Sequence, residues 1–185
     1  MTTCVALLRG INVGGHNRVA MQDLRALCER LGLEDVRSLL QSGNLVFRSA
    51  NRDTQALERR LEQEAGRRLG LQVAFFVRTA DEWASLVRKN PFRDEAERDP
   101  AHLQAVPMKW APKPAAVAEL RAAITAIKGP EQVEARGRDA YFYYPAGMGR
   151  SKLTLALIEK TLGGNPGTAR NWNTVLKLLA LTRTG

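Results

Sequence analysis

Cysteine and histidine are nearly absent: Cys4 and Cys28 stand far apart, and His16 and His102 are the only imidazoles. A disulfide framework or a zinc cluster needs closely spaced ligands, so neither is expected and the thiols read as reduced. No metal site and no cofactor are expected. Long apolar runs are missing as well. Cys4 to Leu8 is too short for a signal core and has no cleavage pattern behind it. Nothing approaches the ~20 apolar residues that span a bilayer. The expectation is a cytoplasmic protein without a membrane partner. The phosphate-loop spacing G-x-x-x-x-G-K-[ST] does not occur, which excludes nucleotide hydrolysis of that type. The one aromatic run, Tyr141 to Tyr144, lacks the pattern by which RNA-reading sheets present aromatic residues.

Positive charge is abundant. The 28 basic residues against 19 acidic ones give a net charge of +9, and the isoelectric point is near 10.1. Such a balance favours an anionic ligand or nucleic acid as partner. Arginines alternating with acids on helices also fit a plain solvated surface. The last part of the chain is different: from Tyr141 onward, Glu159 is the only acid among Arg150, Lys152, Lys160, Arg170, Lys177 and Arg183. At 185 residues, one domain or two small subdomains would bury ~70% of the unfolded surface without a staple.

Hydrophobic spacing predicts an α+β fold. TCVALLR (3–9) reads as a buried strand, and Met21, Leu24, Leu27, Cys28 and Leu31 as one face of a helix stopped by Gly32. Val36 to Leu40 and Asn44 to Arg48 are strands around a serine–glycine turn. Asp53 caps a helix whose stripe is Leu57, Leu61, Ala65 and Leu69, and Gln72 to Arg78 is a fourth strand. This is the ferredoxin-like βαββαβ order. Thr79 and Glu82 form a capping box for a trailing helix. Residues 1–92 are therefore expected as a ferredoxin-like subdomain, with the charged stretch 93–100 as linker. Residues 101–185 read as a second, related but incomplete α+β subdomain: a strand at 102–108, a helix at 115–127, strands Glu131 to Glu134 and Ala140 to Tyr144, a helix from Ser151 to Leu162, and a last helix near Asn171 to Leu181 in place of a closing strand.

Three segments combine small or polar residues with positive charge near expected helix starts. In the loop 9–18, Gly10, Gly14 and Gly15 permit positive φ and a close backbone approach to a ligand. Asn12, His16 and Asn17 offer hydrogen bonds there, and Arg9 and Arg18 offer charge. In PAGMGRSKL (145–153), Arg150, Ser151 and Lys152 would stand where backbone N–H groups emerge. In TARNWNTVLKL (168–178), Thr168, Arg170, Asn171, Asn173 and Thr174 crowd the first turns, with Trp172 as a packing residue. The anion-binding set is thus Arg9, Asn12, Gly14, Gly15, Asn17, Arg150, Ser151, Lys152, Arg170, Asn171 and Asn173.

Other motifs carry less. The turn Gln41 to Asn44 is expected at the opposite sheet end from the glycine loop, about 17 Å away across a strand, and is read as structural. No catalytic residue is assigned, because neither histidine has a recognisable triad partner nearby in sequence. Cys28, on an apolar helix face, reads as an inert core thiol.

LLRGINVGG, QSGNLVF and TARNWNTVLKL, in this order, resemble the bacterial domain of unknown function 1697 family, and the resemblance spans residues 7–178. It implies an α+β fold with a ferredoxin-like first half, and no established reaction, substrate or cofactor. The motif positions implied are Arg9, Gly10, Asn12, Gly14, Gly15, Gln41, Ser42, Gly43 and Asn44, with Thr168, Arg170, Asn171, Trp172 and Thr174 near the end. Ala20 stands where relatives commonly carry a proline, a residue that pre-sets a first helical turn.

Three functional readings remain open from the sequence. The first is binding of a phosphate-bearing ligand, nucleic acid included, at a basic cleft rich in glycine and asparagine. The second is a small enzyme acting on an anionic metabolite, with Arg9, Lys152 and Arg170 as clamps and Asn12, Asn171 or Asn173 as polarising donors. The third is a structural or interaction protein without a small-molecule ligand.

Overall fold

The apolar run at the start forms strand β1 (Thr2–Leu8), buried from Cys4 to Leu8. Its lack of alternation has a simple cause: Cys4, Ala6 and Leu8 face one side of the sheet, Val5 and Leu7 the other, and both sets are fully covered. The structure, a computed structural model, describes residues 1–12, 14–15 and 17–184. His16, counted among the hydrogen-bonding groups of the glycine loop, lies outside the described residues, as does Val13.

After the loop come α1 (Met21–Arg30), β2 (Glu34–Leu39), β3 (Asn44–Ser49), α2 (Thr54–Leu69) and β4 (Phe75–Thr79). The Asp53 carboxylate caps α2 by accepting from the Gln55 and Ala56 N–H groups. Leu24, Leu27 and Cys28 of α1 and Leu57, Leu61 and Ala65 of α2 pack with Ala6, Leu8, Phe47 and Phe75. The strand order is β2-β3-β1-β4, and every neighbouring pair is antiparallel. Helix α3 (Ala80–Arg88) opens with the expected capping box. Glu82 N–H donates to Thr79 Oγ1 at 3.1 Å, and Thr79 N–H donates to the Glu82 carboxylate at 2.8 Å.

The stretch 93–100, read as a linker, contains helix α4 (Arg93–Arg98). There follow β5 (Leu103–Pro107), α5 (Pro114–Ala126), β6 (Gln132–Arg136), β7 (Asp139–Tyr143), α6 (Leu155–Thr161), β8 (Arg170–Asn171) and α7 (Trp172–Thr182). This sheet runs β6-β7-β5-β8, again antiparallel throughout. The chain divides into two units, Met1–Ser85 together with the segment from Lys177 onward, and Leu86–Leu176. Each unit thus carries a four-stranded antiparallel sheet, and the described residues hold seven α-helices in all. None of these helices is long and apolar enough to cross a membrane.

Two expectations for the second half need correction. A closing strand does exist: Arg170 and Asn171 pair with Ala105 and Gln104 of β5, so this half repeats the strand–helix order of the first. At two residues it is too short to leave a periodic signal. The helix expected from Ser151 begins only at Leu155, because Thr154 supplies the cap by accepting from Leu157 N–H. Before it, Met148–Arg150 form a single 3-10 turn.

The core of the second unit joins Val106, Met108, Leu120, Ile124, Phe142, Tyr144 and Ile158. All four aromatics of the 141–144 run are buried. Phe142 and Tyr144 lie in that core, while Tyr141 donates its hydroxyl to Leu86 O at 2.7 Å. Cys4 and Cys28 are both buried free thiols. Burial pushes their pKa values up to about 11 and about 12, so both stay protonated at neutral pH.

Candidate functional site

The glycine loop leaves β1 at Leu8 and returns to helical geometry at Met21. Its path is set by left-handed residues: Gly10, Gly14 and Gly15, together with Asn12 (φ 55) and Asn17 (φ 48). Asparagine tolerates this region because its short amide can bond to the local backbone. Here both asparagines do so. Asn12 Nδ2 donates to Val19 O at 3.0 Å and to Gln41 O at 2.9 Å, while Asn12 Oδ1 accepts from Val19 N–H at 3.0 Å. Asn17 Nδ2 donates to Gly10 O at 3.2 Å.

The bond to Gln41 corrects the expectation about the hairpin. The Gln41 to Asn44 turn is not at the far end of the sheet but against the glycine loop. Leu8 N–H donates to Gly43 O at 2.8 Å, and Leu7 stands opposite Asn44. Topology gives the reason. β1 and β2 each run antiparallel to β3, so they are parallel to one another and end on the same side. The loop after β1 and the turn after β2 must therefore meet. The turn is conformationally demanding, with Leu40 (φ 61) and Gly43 (φ 71) left-handed.

Asn12 is the staple of this junction. Asn12→Ala is expected to lower stability by about 1–2 kcal/mol, since it removes three hydrogen bonds at partly solvated sites. Urea unfolding monitored by circular dichroism measures the change, and an unaltered midpoint would show the staple to be idle.

Beside the staple lies a cleft of about 450 Å³, lined by Asn12, Gly15, Arg18, Val19, Ala20, Asp23 and Leu69. A Cβ placed on Gly15 would sit 3.8 Å from Arg18 Nη2, so the guanidinium lies along the loop backbone. Ala20, the residue before α1, has extended geometry and no side-chain oxygen to cap the helix. Asp23 and Leu24 N–H groups reach Ala20 O, but those of Met21 and Gln22 find no acceptor among the described residues. Arg18 likewise takes no carboxylate partner among them. Arg9, half-buried, donates its N–H to Ala74 O at 3.1 Å. Gly14, Gly15 and Asn17 are exposed.

The remaining sequence-assigned residues belong to the second unit. Arg150 and Lys152 are exposed; Arg150 ends the 3-10 turn and Lys152 follows it, so neither stands at the start of α6. Ser151 donates its hydroxyl to the Glu131 carboxylate and accepts from Leu153 N–H. Asn171 Oδ1 accepts from Thr174 N–H at 3.0 Å and so caps α7. Asn173 is exposed on that helix. Arg170 donates to Thr168 Oγ1 and Ala169 O, and burial pushes its pKa down to about 10.

One pairing was missed in the sequence. His102 Nδ1 lies 2.9 Å from Asp99 Oδ2, and Tyr143 donates its hydroxyl to the same oxygen at 3.0 Å. An ionised carboxylate only accepts, so the hydrogen bond puts a proton on Nδ1. Nε2 is turned toward Gly147, 3.5 Å from where a Cβ there would stand. The i, i+3 spacing of Asp99 and His102 was the available signal, and the linker reading of 93–100 hid it. Among the described residues, no group of three His, Cys, Asp or Glu side chains could hold a metal ion.

These features define an α+β protein of two units, with a cleft beside the glycine loop in the first. The chain belongs to the family of proteins of unknown function DUF1697, which it matches over residues 1–141. It is similar throughout to a solved structure, that of a conserved bacterial protein from Streptococcus pneumoniae. The TM-score is 0.65 at 23% identity, and the match covers 98% of each chain. At that identity the likeness concerns the fold. No curated protein matches the chain.

Proposed function

We propose that the protein binds a phosphate-bearing ligand in the cleft between the glycine loop and the start of α1, and that each unit is a ferredoxin-like domain. The domain reading is supported by the strand order, β2-β3-β1-β4 in one unit and β6-β7-β5-β8 in the other, with helices after the first and third strands. One observation carries the ligand reading: α1 begins at the cleft without a side-chain cap, with Arg18 beside it. Two outward N–H groups at the positive end of a ten-residue helix, next to a guanidinium, favour a bound anion. Asp23, in the first turn, repels an anion from its own side and so restricts it to the side of Arg18 and Gly15.

The asparagines take a different part from the one expected of them. Both donor hydrogens of the Asn12 amide go to backbone carbonyls, so Asn12 shapes the cleft without polarising a substrate. In this reading the ligand meets backbone N–H groups and Arg18.

The test uses two variants, one that weakens binding and one that blocks it while raising stability. Inorganic phosphate, or a nucleoside diphosphate, should raise the melting temperature of the native chain. A ligand at 100 times its dissociation constant stabilises by ~2.7 kcal/mol. Arg18→Gln should weaken binding about tenfold, the equivalent of one charge-assisted hydrogen bond. Ala20→Asp should raise intrinsic stability by about 1 kcal/mol through a new N-cap. Its carboxylate would occupy the anion position and abolish the phosphate-induced shift. Absence of any shift in the native chain, or an undiminished shift in Ala20→Asp, would overturn the proposal.

A further inference from the structure

The loop between β5 and α5 holds a tryptophan where hydrophobic burial would not put one. Trp110 is 50% exposed, while Trp83 and Trp172 are 0% and 3% exposed. It is nevertheless held firmly. Buried Asn165 donates from Nδ2 to Trp110 O at 2.6 Å and accepts from Trp110 N–H at 3.4 Å. On the preceding residues, Lys109 N–H donates to Pro166 O, and Met108 N–H donates to Arg138 O in the β6–β7 turn. Met108 itself is anchored in the core. The indole is thus carried on a fixed backbone and presented to solvent.

Cations outnumber acids in the surrounding segments. Lys109 and Lys113 flank Trp110 in the chain, and the bond from Met108 to Arg138 brings the turn bearing Arg136, Arg138 and the acidic Asp139 to the same end of the sheet. The nearby carboxylate Glu134 is held between two guanidiniums, at 2.7 Å from Arg121 and 2.9 Å from Arg136. Directly after Trp110 the chain borders a groove of about 320 Å³, lined by Pro112, Pro114, Val117, Ala135 and Arg136 among others. That volume lies in the range of small-molecule sites. A half-exposed tryptophan on an anchored backbone, beside cations and a groove, suits unpaired bases and their phosphates.

We infer that this end of the second unit binds single-stranded nucleic acid, a base stacking on Trp110 while the exposed Lys113 and Arg136 meet the phosphates. Single strands are favoured over duplex because stacking requires a base free of its own neighbours. The surface is separate in sequence from the phosphate cleft of the first unit, so the two assignments stand or fall independently.

Fluorescence offers a direct reading, since Trp110 is the half-exposed tryptophan and the other two are buried. Titrating the full chain with a thymidine dodecamer at low salt should quench the solvent-exposed part of the emission. Trp110→Ala should bind about tenfold more weakly, the order of one lost base–aromatic stack. Lys113→Gln and Arg136→Gln should each flatten the slope of log affinity against log salt by about 0.7. All three side chains are at the surface, and unchanged melting temperatures would confirm that the variants fold. Ala20→Asp should leave the titration as it is. The assignment is overturned if no quenching occurs, if Trp110→Ala binds as tightly, or if duplex DNA or inorganic polyphosphate quenches equally well. Equal quenching by an acidic peptide would overturn it too, by making the surface a peptide site.

Discussion

Gly43→Ala is expected to destabilise the protein by about 2–5 kcal/mol. Two separate costs add at this position. The backbone is left-handed (φ 71), which an L side chain adopts at about 1–2 kcal/mol. A methyl group would also stand 2.8 Å from both Leu8 Cβ and Ile11 Cδ1, all of them buried, and overpacking of this kind costs about 1–3 kcal/mol. Gly14 provides the comparison. Its φ is 59, but nothing lies within 4 Å of an added Cβ, so Gly14→Ala should show the backbone cost alone. Urea unfolding of the two variants measures the difference. Equal losses would mean that Leu8 and Ile11 yield freely, and that the close fit between hairpin and loop is not a constraint.

Glu58→Leu is expected to cost about 3–5 kcal/mol, the usual loss on breaking a buried ion pair from one side. Glu58 lies in the middle of α2 with its side chain 3% exposed, and Oε1 accepts from Val77 N–H at 2.8 Å. The same oxygen is 3.6 Å from Nη1 of Arg78, itself 2% exposed. Leucine would take both the charge and the acceptor from two buried groups. Glu58→Gln keeps an oxygen for Val77 and should lose less, so comparing the two by thermal and urea unfolding separates charge from hydrogen bond. Equal losses from both variants would assign the whole effect to the charge. A loss below about 1 kcal/mol in Glu58→Leu, the range of surface pairs, would remove the pair from any account of stability.

Much of the architecture could be read from hydrophobic spacing. Leu24, Leu27 and Cys28, and likewise Leu57, Leu61 and Ala65, fall at helical intervals because each set packs against one sheet. Asp53 and the Thr79–Glu82 pair marked helix starts because capping is local chemistry, complete within four residues. What failed depended on partners distant in sequence. β8 is fixed by two residues of β5, and the meeting of glycine loop and hairpin is fixed by β3, which neither segment contains. Spacing could not place Ser151 either, because Thr154 three residues later competes for the cap and wins.

The candidate site was half legible. Glycine content located the loop, and Arg18 was visible as its charge. The open end of α1 was present in sequence as Ala20, a residue noted only for what it replaced. The amide of Asn12, assigned as a ligand donor, gives its hydrogens to Val19 O and Gln41 O, bonds that no local pattern announces. Trp110 carried no signal at all, because periodicity counts a tryptophan as core wherever it falls.

The division of the chain has a consequence for synthesis. The first unit is interrupted: its last segment resumes at Lys177, and Arg37 of β2 donates to Leu181 O and to Thr184 Oγ1. The second unit is one uninterrupted stretch, Leu86–Leu176. During translation the segment up to Ser85 must therefore wait for the segment beyond Lys177. The later-made half is the first to have all its residues, and the amino-terminal sheet acquires its final contacts only as the segment beyond Lys177 emerges from the ribosome.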